Sequence, residues 1–260
     1  MAAAAQHAGV HGLDPWLESL RALIDAEPVP ATLEDALAPL TALGGADVAA
    51  ALRAVERQRR APPGAWHPDD WRRTHPDFPE RLAFAILVYT LQDPNIYKPL
   101  ADAMHAADRA AGQGGASEAV RACLPFVKLL DVAMLEAAIT WGFFVGQAFR
   151  GVKFAFPKPT LAEHNPTAYF PTGRELHWFA FQSSSTEFEV MYRPWFCGRV
   201  GPRTVFTIQS CEGISIKRFS AMPDEDEVNS PSSFVRFPRS EPDFLVLCGR
   251  FSSRRCRTSA

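Results

Sequence analysis

The chain has little that would staple it, anchor it or draw it to a polyanion. Its five cysteines, Cys123, Cys197, Cys211, Cys248 and Cys256, are odd in number and nowhere spaced CxxC. That pattern builds neither a zinc site nor a disulfide framework, so reduced thiols are the expectation. The seven histidines are scattered, and only His7 and His11 stand four apart, in an alanine-rich leader. No metal is expected. Lysine plus arginine (27) nearly balance aspartate plus glutamate (29), for a net charge of −2. No global field therefore selects nucleic acid or an anionic membrane. The N-terminus lacks the basic start and long apolar run of a secretory signal. The most apolar run, 82–91, is too short to span a bilayer, and the longer stretch 132–149 carries Glu136 and Gln147. A cytoplasmic chain with no nucleic-acid or membrane partner is expected. There is no internal repeat and no glycine-rich phosphate loop, which argues against Rossmann and P-loop nucleotide binding.

What is present is an ordinary globular composition, 47% hydrophobic and 22% charged over 260 residues. That is enough for one large domain or two small ones. Residues 13–60 read as helices. Asp14 and Pro15 suit a helix start, and Trp16, Leu17, Leu20, Leu23 and Ile24 recur at helical spacing. Thr32 with Asp35 offers a second start, and Val48, Ala51, Leu52 and Val55 form one face of a third helix. Arg57 to Arg60 followed by Ala61-Pro62-Pro63-Gly64 reads as a linker. Residues 1–65 are thus expected as a helical N-terminal extension, 66–253 as a catalytic domain and 254–260 as a basic tail.

The second region opens with a strongly apolar helix from Pro79-Glu80 through Leu91. Helices over 96–111 and 117–140 follow, with Pro125 beginning a second part of the latter. Near residue 148 the period changes to two. Segments 149–156, 175–182, 203–210, 214–219, 234–237 and 244–248 are short and rich in aromatic and β-branched residues. Helices first and strands afterwards predict an α+β fold with mainly antiparallel sheet.

Three stations carry chemistry. Arg150-Gly151 can set a guanidinium beside an exposed backbone amide, a pairing that suits phosphate and carboxamide groups; a surface ion pair is the plain alternative. Ser183 and Ser185 set hydroxyls at alternate positions, able to orient a carboxylate or a ribose; a serine-rich loop is the alternative. The third station is 219–231, FSAMPDEDEVNSP, with four successive acids. If it enters a strand, Glu225 and Glu227 share one face while Asp224 and Asp226 share the other. Two carboxylates on one face repel unless a cation lies between them or one is protonated. A solvated acidic turn is the bland reading.

In this order the stations resemble the arginine-type (R-S-E) mono-ADP-ribosyltransferases. The likeness extends beyond three short words. Tyr89-Thr90 with Ile96-Tyr97 and Leu100 resembles the family's "YT…Y…LN", and Leu129-Leu130-Asp131 followed by Phe149-Arg150-Gly151-Val152 resembles "LD…YRG". GRELHWFAFQSSS, 173–185, resembles "G…W..F.STS". Gly213-Ile214 through Ser220, Pro223, Glu225, Glu227-Val228 and Pro231 resembles "G..I…S.FP.E.EVL..P". The resemblance covers about residues 66–250.

It implies a core of two packed, mainly antiparallel sheets and NAD as co-substrate without a metal. It implies that Arg150 grips the NAD diphosphate, that Gly151 holds the nicotinamide amide, and that Ser183 positions Glu227 and supports the ribose. Ser185 joins the nucleotide-binding set, and Phe196 with Arg199 resembles the aromatic and arginine that flank nicotinamide in some family toxins. Glu227 is implied as the catalytic glutamate, and Glu225 as the carboxylate that receives an arginine side chain of a target protein. The alternatives are an NAD glycohydrolase and an inactive binding domain of the same fold. Asn229-Ser230 replace the apolar residue and proline usual after Glu-x-Glu-Val, a departure that bears on the acceptor loop.

Overall fold

The computed structural model describes residues 15–65, 70–110, 116–153, 182–230 and 246–248. Seven helices come first: α1 Pro15–Ala26, α2 Leu33–Leu37, α3 Val48–Arg60, α4 Trp71–Thr74, α5 Glu80–Thr90, α6 Tyr97–Ala110 and α7 Glu118–Trp141. Local chemistry starts several of them. Thr32, Asp47, Asp70 and Ser117 each accept a backbone N–H from the first turn that follows, satisfying donors that the helix itself cannot.

α7 is the axis of the helical half. It continues through Pro125 rather than breaking there. The missing bond and ring clash cost about 3 kcal/mol. Buried Leu124, Phe126, Val127, Leu129 and Leu130 surround the proline, and each fully buried side chain returns about 1.5–3 kcal/mol. Packing on α5 and α2 therefore overrides the break.

The helices of residues 15–60 do not stand apart. Leu20, Ile24, Leu33, Leu37, Leu40 and Val55 share one core with Phe84, Ile86, Leu130 and Met134, and the same core reaches Ile214, Ile216 and Phe219. The expected linker is clamped. Arg72 pairs with fully buried Asp70 at 2.8 Å and donates to the carbonyls of Gln58 and Ala61 at 3.0 and 2.9 Å, while Gly64 N–H donates to Asp70 at 2.9 Å.

Five strands follow: β1 Phe144–Val152, β2 Gln182–Ser185, β3 Thr204–Ser215, β4 Glu227–Ser230 and β5 Val246–Cys248. All their pairings are antiparallel. β1 begins earlier than its aromatic run suggests, because Gly142 at φ +84° ends α7 and releases the chain at once into strand. The expected strands 203–210 and 214–219 are one strand as far as Ser215, since Phe144 pairs across the gap with Gly213. β1 runs along β3 from Thr204 to Gly213 and also meets β2 at Phe149–Ser185, β5 lies on the first residues of β3, and β4 lies on its last residues and on β2, so the five strands form one hydrogen-bonded sheet. The expected strand 234–237 and most of 175–182 lie outside the described residues. Among the described residues, no helix is long and apolar enough to cross a membrane.

Candidate active site

A cleft of about 310 Å³ opens between the end of α5 and the sheet. Its helical wall is Tyr89, Thr90 and the turn to Tyr97 and Lys98; its sheet wall is Arg150, Gly151, Ser183, Glu225 and Glu227, with Trp195 and Phe196 at one side. Thr90 ties the walls together. Its hydroxyl donates to the Leu87 carbonyl and accepts the Ala221 N–H, both at 2.9 Å.

Arg150 comes from β1, where it lies opposite Phe206 of β3. Its Nη1 donates to the Ser183 carbonyl at 2.7 Å, which holds the guanidinium across the strands. Gly151 is bare for a packing reason. A Cβ there would come within 2.8 Å of Cys197 Sγ and 3.1 Å of Met191 Sδ. Ser183, on β2, faces Asn229 of β4 in register, and its side chain hydrogen-bonds Glu227.

The acidic stretch departs from the strand expectation. Pro223–Glu225 is a 3₁₀ turn, Asp226 is left-handed at φ +45°, and the strand begins only at Glu227. Proline sets the turn's φ and removes a ladder donor, so a strand cannot start there. Glu225 and Glu227 reach one cleft through this turn and not through strand alternation. Asp224 is exposed, and Asp226 pairs with Lys217 at 2.9 Å.

Both glutamates are buried, at 3% and 4% exposure. Burial pushes the Glu227 carboxyl up to about 7; the Ser183 hydrogen bond opposes this, the charge of Glu225 adds to it, and Arg150 opposes it. Burial also raises Glu225, against hydrogen bonds from Trp195 and the charge of Arg193. Asn229 sits behind Glu227, with Nδ2 3.4 Å from Oε1, and its buried Oδ1 meets no partner among the described residues.

Arg150, Gly151, Ser183, Phe196, Glu225 and Glu227 thus line one space. Ser185 does not. It is fully buried, donates to the Glu225 carbonyl at 2.5 Å and accepts the Glu187 N–H at 3.0 Å, holding the acidic turn from beneath. Arg199 does not either. Gly198, at φ +68°, turns the chain back onto Met191 and Arg193, and the Arg199 guanidinium lies over the Tyr192 ring at 5.2 Å. The sequence reading missed Trp195 and Arg193, which hold Glu225: Trp195 Nε1 donates to Oε1 at 2.6 Å, and Arg193 Nη1 lies 3.5 Å from the same oxygen.

A family model described as NAD:arginine ADP-ribosyltransferase matches residues 50–237. The chain belongs to this family. It is an NAD-dependent ADP-ribosyltransferase, with NAD as its co-substrate. No curated protein matches the transferase in sequence. Solved structures similar to it include the eukaryotic mono-ADP-ribosyltransferase ART2.2, at 20% identity over 96% of this chain and 95% of that one, with a TM-score of 0.49. A mutant of ART2.2 in complex with NADH matches at 20% identity over 85% and 79%, with a TM-score of 0.47. HopU1 of Pseudomonas syringae pv. Tomato DC3000 matches at 17% identity over 86% and 89%, with a TM-score of 0.45.

The residues of the transferase's cleft suit a dinucleotide. A guanidinium suits a diphosphate, the Gly151 backbone lines the cleft beside it, and aromatic rings stand beside a buried carboxyl. Among the described residues, no cluster of histidine, cysteine or carboxylate could hold a metal ion.

Proposed function

We propose that the cleft transfers ADP-ribose from NAD to an arginine side chain of a protein, with release of nicotinamide. One observation carries this reading: Arg150, Ser183, Glu225 and Glu227, spread over 78 positions of sequence (150 to 227), line a single space. Arg150 binds the diphosphate, and Gly151 receives the nicotinamide amide at its backbone. Ser183 orients Glu227. Glu227 accepts a hydrogen bond from the ribose 2′-hydroxyl and offsets the positive charge that develops as the bond from ribose C1′ to nicotinamide breaks. A fixed carboxylate in a partly dry cleft stabilises that charge far more than it would in water.

Glu225 serves the acceptor. A guanidinium is too basic to attack while fully protonated. Glu225 orients it and takes its proton as the new bond from guanidine nitrogen to C1′ forms. The protein's own Arg193 guanidinium already lies at this carboxylate, which supports an arginine acceptor. Phe196 lines the nicotinamide end, whereas Ser185 and Arg199 act from outside the cleft, one under the acidic turn and one on Tyr192.

We propose that β1, β5 and β3 as far as Gly213 act as one layer and β2, β4 and the end of β3 as a second, the two joined through the Phe149–Ser185 pair. The helices of residues 15–60 complete the catalytic unit rather than form an appendage.

The test is Glu227→Ala assayed with tagged NAD. Nicotinamide release and protein labelling are both expected to fall at least a hundredfold, the scale of a lost charge-stabilising group. Wild-type nicotinamide release by this variant overturns the mechanism.

A further inference from the structure

Trp195 is half exposed, at 50% of its surface. A tryptophan left in water gains little from burial, so core packing does not account for its placement. What it does have is one short polar contact, with the Arg193 guanidinium 5.9 Å from its ring centroid. Its indole N–H meets Glu225 Oε1 at 2.6 Å, across 30 residues of sequence. Arg193 completes the hold: Nη1 lies 3.5 Å from the same Oε1, and Nη2 donates to the Asp224 carbonyl at 3.2 Å. Both contacts on the carboxylate fall on one oxygen. The Trp195 contact has the length of a charge-assisted bond, while the Arg193 contact is long and loose.

We infer that Trp195 is a positioning residue for transfer to the acceptor: its N–H fixes Glu225 through Oε1 and turns Oε2 toward an incoming guanidinium. The inference rests on reading Glu225 as the acceptor carboxylate. A carboxylate held at one oxygen has a defined plane, and a planar guanidinium binds well only to a carboxylate of defined plane. Without the indole, Glu225 can rotate onto Arg193, whose fork then competes with the substrate's. The ring also lines the cleft beside Phe196, so its removal and the removal of its N–H are separable.

The experiment is steady-state kinetics of the full chain with NAD and arginine methyl ester, following guanidine labelling and nicotinamide release separately. Trp195→Phe keeps an aromatic wall and removes the donor. The expected result is a KM for the guanidino acceptor raised about tenfold, in line with loss of a hydrogen bond to a charged group, against a KM for NAD changed by less than about threefold on the same scale. Acceptor and NAD KM values that rise together, or an unchanged acceptor KM, overturn the inference. Glu225→Ala, run in parallel, separates the two levels. If it labels the acceptor as the wild type does, Glu225 is not the acceptor carboxylate and both readings fall. If it loses labelling while Trp195→Phe keeps the wild-type acceptor KM, the role of Trp195 alone falls.

Discussion

Glu227 is a carboxyl placed where burial opposes its working form. Its pKa of about 7 means that half the molecules hold it protonated near neutrality. NAD brings a positive nicotinamide ring, and that charge favours the ionised form. At subsaturating NAD, cleavage in the absence of acceptor is therefore expected to rise with pH through the region of 7 and then level, and at saturating NAD the rise falls at lower pH; a subsaturating rate that is flat between pH 5 and 8 contradicts this. The sign for stability is opposite. The unfolded chain loses this proton near the ordinary 4.5 and the folded chain near 7, so between those values the native state binds more protons. Stability from this group is full below about 4.5 and is lost as pH rises through about 7. Glu227→Gln removes the charge and keeps the shape. It is expected to abolish turnover while stabilising the fold at pH 8 by about 1–3 kcal/mol, with little change at pH 4.5. Denaturant melts at the two pH values measure it. A variant less stable at pH 8 contradicts the account.

At the scale of elements, the acidic turn sets the site. Asp226 is the only non-glycine residue with positive φ among the described residues. That conformation lets successive acids turn three ways: Asp224 to water, Glu225 and Glu227 into the cleft, Asp226 onto Lys217. Asp226→Val places a β-branched side chain in the left-handed region and breaks the Lys217 pair. It is expected to cost about 1–3 kcal/mol and to lower transfer more than tenfold through both glutamates. Urea unfolding together with labelling tests this, and wild-type values in both contradict it.

The turn also marks where reading the chain by period reaches its end. Arg150, Ser183 and Glu227 were legible because each sits in a short word at a strand edge. Glu225 was legible as a residue but not in its geometry, because Pro223 converts a supposed strand into a 3₁₀ turn. Its partners were not legible at all. Trp195 and Arg193 meet it across 30 and 32 residues, in a loop with no periodicity to register the contact. Ser185 and Arg199 fall outside the cleft lining for the reverse reason: each has a suitable side chain in a suitable word, but backbone hydrogen bonds hold one and the other lies on the Tyr192 ring.

For the molecule as a whole, the helical half is a support. α5 carries Tyr89 and Thr90 into the cleft, α7 backs α5, and α1 to α3 cover α7 and α5 within the same core. The helices before residue 60 were visible in the hydrophobic period, yet their union with the rest was not, because Ala61-Pro62-Pro63-Gly64 has the composition of a linker. The Asp70–Arg72 clamp closes that seam. Asp70 is wholly buried; burial alone would raise its carboxyl, but hydrogen bonds from Arg72 and Gly64 and the charge of Arg72 bring it below its ordinary value. Its contribution is present above about 3.8 and is lost as pH falls through the lowered folded value. Asp70→Ala leaves Arg72 partly buried without this partner and is expected to cost about 3 kcal/mol, with nicotinamide release reduced in proportion to the folded fraction.

The identity of the labelled side chain tests the arginine acceptor most directly. Wild type and Glu225→Ala are each incubated with tagged NAD and a cell extract, and the modified residues are located by mass spectrometry. ADP-ribose is expected on arginine with the wild type, none with Glu225→Ala, and nicotinamide released by both. Label on another side chain, or arginine label that survives Glu225→Ala, would contradict it.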